Sequence, residues 1–155
     1  MRIRMILLGV ALLAGTAACG STSGHGHADT QPAADKTPAG VQIEQSSLGP
    51  ILTDQNGRTL YAFTADKGGT SSCTGDCIAT WPALVSRQAL AAGSGADKAL
   101  LSQTTRTEGA TQGTYGDWPL YYYVGDQGPG DVDGQGVDGV WFVVGADGKL
   151  IKTNP

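Results

Sequence analysis

Leu60-Tyr61-Ala62-Phe63-Thr64-Ala65-Asp66 returns sixty positions later as Leu120-Tyr121-Tyr122-Tyr123-Val124-Gly125-Asp126, and in each copy a tryptophan follows the Asp by fifteen positions, Trp81 and Trp141. Matched aromatic, carboxylate and tryptophan positions at one spacing mark an internal duplication, which must be recognised before any fold is proposed. In a strand alternate side chains share a face, so Tyr61 and Phe63 point one way and Leu60 and Ala62 the other. The second copy sets Tyr121 and Tyr123 against Leu120 and Tyr122 in the same manner.

Turn chemistry around these segments points to strands. Ile51-Leu52-Thr53-Asp54 runs through Gln55-Asn56-Gly57-Arg58 into the first motif, and Asn-Gly between apolar segments is a strong hairpin signal. The second copy offers Thr111 to Tyr115, a Gly116-Asp117 turn and Leu120 to Val124; Gly139 to Gly145, an Asp147-Gly148 turn and Lys149 to Thr153 make a last hairpin. Between the copies Ile78 to Trp81 reads as a helical turn ended by Pro82, and Gln88 to Ala92 and Ala96 to Leu101 as single helical turns. The expected fold is mainly all-β, with two related β-hairpin repeats, about 48–85 and about 106–145, packed as one small domain spanning 48–155.

The chain opens with Met1-Arg2-Ile3-Arg4, an apolar run from Met5 to Ala14 and small residues up to Ala18. That order is a secretory signal peptide over 1–18, too short in its apolar part to span a membrane. Ala17-Ala18-Cys19 resembles the bacterial lipobox, with Thr16 where Leu is commonest. The resemblance implies a diacylglyceryl group on Cys19 and a membrane partner through that lipid. Gly20 to Ser47 is Gly, Ser, Thr, Ala, Pro and Gln with scattered charge; with Cys19 it reads as a disordered tether over 19–47, spanning roughly 30 Å as a flexible coil. Both histidines, His25 and His27, fall in that tether.

Beyond residue 18, eight Lys and Arg face fourteen Asp and Glu, which disfavours nucleic acid as a partner. A folded part without histidine excludes Ser-His-Asp and Cys-His nucleophilic sites. Cys73 and Cys77 in Cys-Thr-Gly-Asp-Cys form an expected disulfide outside the cytoplasm, within geometric reach if Thr-Gly-Asp makes one turn.

With Tyr61-x-Phe63-x-x-Asp66, Cys73-x-x-x-Cys77, Trp81-Pro82, Thr114-Tyr115, Pro119-Leu120-Tyr121, Asp126 and Val140-Trp141-Phe142 in view, the chain resembles the bacterial secreted-repeat lipoproteins that carry a Tyr-x-(Phe/Trp/Tyr)-x-x-Asp motif. The resemblance covers about Leu48 to Val144. It implies a cell-envelope lipoprotein of two related β repeats, on the extracytoplasmic side of the membrane, and no established catalytic residue. Two positions depart from the pattern: Glu108 stands where Asp is usual, and Gly113 replaces a β-branched residue, which weakens the expected strand.

For each constellation two readings are open. The aromatic residues of the motif are core, or they form a platform for a planar ligand with Trp118 and Tyr122 as its exposed members. Asp66 and Asp126 cap turns, or they face one another across a pseudo-twofold axis as a carboxylate pair. Asp131, Asp133, Gln135 and Asp138 either lie in a solvated acidic loop or supply the first half of a calcium loop, whose position-twelve Glu is replaced by Phe142. No other cofactor is expected. The functional expectation is a non-enzymatic binding or interaction module with an unidentified envelope partner. The alternatives are a component of an envelope redox system and, more weakly, a metal-dependent enzyme using Asp66, Asp126 and the acidic loop.

Overall fold

The computed structural model describes residues 39–153, so the signal peptide, Cys19, both histidines and the tether up to residue 38 lie outside the described residues. The chain is mainly β. Strand β1 (Gly40–Ser46) pairs antiparallel with β2 (Gly49–Asp54), and its first two residues pair parallel with β4 (Ala91–Ala92). Strand β3 (Tyr61–Phe63) pairs antiparallel with β8 (Trp141–Val143). In the second copy β5 (Leu101–Thr105), β6 (Thr111–Tyr115) and β7 (Trp118–Pro119) form a third sheet in that order.

One residue-for-residue symmetry organises these pieces. The N–H of Tyr61 donates to the carbonyl of Tyr121 at 2.8 Å, and the N–H of Tyr121 donates back to Tyr61 at 2.9 Å. Equivalent hydrogen bonds repeat outward from that pair, sixty positions apart at Leu84 and Val144 and sixty-one at Leu52 and Gly113. Leu84 N–H donates to Leu120 O at 2.9 Å and Val144 N–H to Leu60 O at 3.2 Å; Gly113 N–H donates to Leu84 O and Leu52 N–H to Val144 O, both at 2.8 Å. The tryptophan segment of each copy therefore pairs with the motif strand of the other copy, and the two repeats are interlocked through a pseudo-twofold axis between Tyr61 and Tyr121.

Period-two alternation then separates two cores. Leu60, Ala62 and Leu120 pack on one face with Val41, Leu52, Leu84, Tyr115 and Val144. Tyr61 and Tyr121 pack on the other with Ile51, Cys73, Trp81, Trp141 and Val143, and Phe63 and Tyr123 lie against them. The anticipated hairpin at Asn56-Gly57 forms: Gly57 takes φ +80°, Asp54 Oδ1 accepts from the N–H of Asn56 and of Arg58, and Leu60 N–H reaches Leu52 O at 3.0 Å. Strand β6 spans the expected Thr111 to Tyr115. The helical turn before Pro82 is α1 (Asp76–Thr80).

Four expectations are corrected. The folded part does not start at 48, because Gly40–Ser46, placed in the tether, is strand β1. Val41 and Ile43 alternate with Gln42 and Glu44, and the apolar face covers the first core. Likewise the second copy starts before 106, since Leu101–Thr105 is β5, the counterpart of β1. Gln88 to Ala92 is not a helical turn, because Ala91 and Ala92 are drawn into register beside Gly40 and Val41. Gly113 does not weaken β6: a Cβ there would lie 2.6 Å from Leu90 Cδ1 and 3.1 Å from Leu84 Cδ2, so its missing side chain admits two leucines to the core.

Candidate functional site

The motif residues of both copies meet on the pseudo-twofold axis. Trp81 and Trp141 stack face to face with ring centroids 3.9 Å apart and planes 4° from parallel. Tyr123 stacks on the outer face of Trp81 at 4.5 Å, and Phe63 on the outer face of Trp141 at 4.4 Å. The result is a column of four rings, Tyr123, Trp81, Trp141 and Phe63. Tyr61 meets Trp81 edge-on at 5.4 Å and Tyr121 meets Trp141 edge-on at 5.2 Å. Both tryptophans are 3% exposed.

Each motif carboxylate serves the tyrosine of the other copy. Tyr121 OH donates to Asp66 Oδ2 at 2.7 Å, while Asp66 Oδ1 accepts from the N–H and the hydroxyl of Ser72, both at 2.7 Å. Tyr61 OH donates to Asp126 at 3.0 Å, and Asp126 Oδ1 accepts the N–H of Asp133 at 3.1 Å. The carboxylates cap turns and brace phenols. Burial raises the Asp126 carboxyl to about 6, with like charge from Asp133 and Asp131 adding to the rise and the hydrogen bonds from Tyr61 and Asp133 opposing it. Burial also pushes the Tyr61 and Tyr121 phenols well above the usual range, and the facing carboxylates push the same way.

The two loops that differ between copies do the same work by different means. In the first copy, residues 66–77 cover Tyr121: Ser71 Oγ lies 2.7 Å from its hydroxyl, and the Cys73–Cys77 disulfide anchors the loop with Cys73 in the aromatic core. In the second, residues 126–136 cover Tyr61. Gly134 N–H donates to Tyr61 OH at 3.2 Å, and a Cβ on Gly134 would lie 2.8 Å from Tyr61 Cζ and 2.9 Å from Trp81 Cη2.

The residues of the acidic loop, weighed as half a calcium loop, make structural hydrogen bonds. Asp131 Oδ2 accepts from the N–H groups of Gln127 and Gly128, and its carbonyl accepts the Thr59 hydroxyl. The Gln135 amide donates to the carbonyls of Ile151 and Thr153 and accepts from the N–H of Val143 in β8. Asp138 is exposed, at φ +53°. Among the described residues no group of three or more His, Cys, Asp or Glu is placed to hold a metal ion.

Of the two aromatics expected at the surface, Tyr122 is half-buried: the Arg58 guanidinium sits 4.1 Å over its ring and its hydroxyl donates to Asp54. Trp118 is half-buried against the first core.

One central residue escapes sequence reasoning. Arg106 is 5% exposed; its guanidinium donates to Ser71 Oγ at 2.7 Å, Gln112 Oε1 at 2.8 Å and the carbonyl of Cys73 at 2.7 Å, and it pairs with Glu108. It joins the disulfide loop of the first copy to β6 of the second. The neighbouring Glu108, noted for departing from the motif, was the available signal.

A family model described as a secreted repeat of unknown function matches this chain twice, over residues 43–85 and 102–145. The two matches begin in β1 and β5 and end beyond Leu84 and at the close of the strand region after Trp141, so one match corresponds to one interlocked copy. No curated protein and no solved structure matches the chain.

Proposed function

The chain belongs to the family of secreted repeats of unknown function, and on that premise we propose that it is a lipid-anchored module that binds a partner in the cell envelope without catalysing a reaction. One observation carries this reading. The side chains common to both copies are turned into the core and satisfy one another there, so the shared chemistry builds a rigid body and leaves recognition to the surface. Placement outside the cytoplasm agrees with a secreted repeat and with a disulfide between Cys73 and Cys77. Among the described residues no helix is long and apolar enough to cross a membrane; in this reading the lipid on Cys19 supplies the attachment.

Metabolic labelling with a clickable fatty acid tests the anchor: label on the wild-type chain and none on Cys19→Ser, with the variant released from the membrane fraction, is expected. An unlabelled wild-type chain refutes it. Crosslinking in intact cells tests the binding role, with one discrete product expected from the anchored chain. No product above that of the released Cys19→Ser variant refutes it.

A second reading, participation in envelope electron transfer, is favoured by the column of four stacked rings.

A further inference from the structure

Packing alone accounts for buried aromatic rings, but four features of this column go beyond filling space. The rings from Tyr123 to Trp141 are in continuous face-to-face contact, with centroid steps of 4.5 and 3.9 Å. One end of that run, Tyr123, is only half-buried, while both tryptophans are enclosed. Phe63 closes the opposite end with a ring that resists oxidation, which gives the column a direction. Tyr61 meets Trp81 edge-on and Tyr123 at 6.4 Å, and its hydroxyl points at a carboxylate.

An oxidised phenol becomes a strong acid, so a tyrosine yields an electron readily only where a base takes its proton in the same step. Asp126 occupies that place. The counterpart Asp66 is instead held by Ser72, whose N–H and hydroxyl both donate to its Oδ1. Gly134 N–H supports the phenol oxygen from the other side, and Gly134 can lie against the ring only because it has no Cβ.

We propose that the column is a one-electron relay ending at Tyr61, in which a one-electron oxidant of the small-radical class draws an electron through Tyr123 and Trp81 while the Tyr61 phenol passes its proton to Asp126. The step balances. The oxidant gains one electron, the O–H bond of Tyr61 breaks, and a phenoxyl radical and a carboxylic acid on Asp126 result. A one-electron reductant of the ascorbate class then returns the electron, and Asp126 returns the proton. The relay would divert oxidising equivalents from the surface into a site held by both copies. It depends on neither the lipid anchor nor the envelope partner.

Pulse radiolysis of the full chain with azidyl radical, which oxidises indole, tests it without a membrane. The indole-radical absorption is expected to give way to the phenoxyl absorption, more slowly in heavy water and more slowly as pH falls through about 6, where Asp126, flanked by Asp131 and Asp133, becomes protonated. Tyr61→Phe loses most of the phenoxyl signal, and Asp126→Asn delays its appearance on the order of 100-fold, the usual worth of a positioned base. Near-ultraviolet circular dichroism of the stacked indoles confirms that each variant is folded. Phenoxyl formed by Tyr61→Phe at the wild-type yield and rate overturns the proposal. So does a wild-type rate indifferent to heavy water, a result that needs no variant.

Discussion

Replacing Trp81 or Trp141 with alanine tests the interlocked architecture, because the pseudo-twofold axis makes the two residues equivalent. Each is 3% exposed, and each touches three rings: Trp81 meets Tyr61, Tyr123 and Trp141, while Trp141 meets Tyr121, Phe63 and Trp81. Truncating a buried tryptophan costs ~3 to 5 kcal/mol. Against a total stability of roughly 5 to 15 kcal/mol, each variant retains a fold but loses much of its margin. Urea titration followed by far-ultraviolet circular dichroism reads this out. With a slope of about 1.5 kcal/mol/M, the midpoint falls by about 2 to 3 M for either variant. The double variant should cost less than the sum of the singles by about 0.5 to 1.5 kcal/mol, since the Trp81–Trp141 contact is lost only once. A near-neutral effect at one tryptophan, or strict additivity, would refute the shared stack.

Three further outcomes follow from particular groups. Asp126 carries a folded-state pKa raised to about 6, so the folded chain binds more protons than the unfolded one between about pH 4 and 6. Its contribution to stability therefore falls as pH rises through that window. That tighter hold on the proton is worth ~3 kcal/mol at most, and solvent screening of this half-exposed carboxylate reduces it to about 1 kcal/mol; Asp126→Asn should flatten the stability profile there, as chemical denaturation across pH 4 to 7 will show. Arg106→Ala strands Gln112 Oε1 and the carbonyl of Cys73 and should cost ~3 kcal/mol by the same assay, whereas Glu108→Ala, at an exposed position, should cost far less. Gly134→Ala forces a methyl into Tyr61 and Trp81 and should destabilise by ~1 to 3 kcal/mol, with a change in the near-ultraviolet signal of the tryptophans.

The two loops that differ between the copies share one structural role. Cys73-x-x-x-Cys77 belongs to the first copy alone and Asp131 to Asp138 to the second, which points to them as the seat of any local function. In the fold both serve as covers for the tyrosine of the opposite copy. The stretch Asp131 to Gly136 meets the requirements of such a cover with a glycine that admits a close approach at 134, a glycine at φ +74° at 136, and short polar side chains that satisfy turn backbone.

Much was determined by the sequence alone. The duplication, the predominance of strands, the Asn56-Gly57 and Asp147-Gly148 turns, the helical turn before Pro82 and the cysteine pair rest on spacing, turn residues and period-two alternation, all of which are local. The longer strands missed, Gly40–Ser46 and Leu101–Thr105, are those whose apolar alternation is brief and whose neighbours are polar, and the two-residue Ala91–Ala92 is too short to show a period. Only the tertiary structure decided which copy pairs with which. Nothing local distinguishes a Tyr61 that meets its own repeat's aspartate from one that meets Asp126, because that choice depends on hydrogen bonds between residues sixty apart, Tyr61 with Tyr121 first among them. Exchange across the pseudo-twofold axis lets each short, half-formed sheet complete its backbone pairing with the other. It also places the two tryptophans face to face.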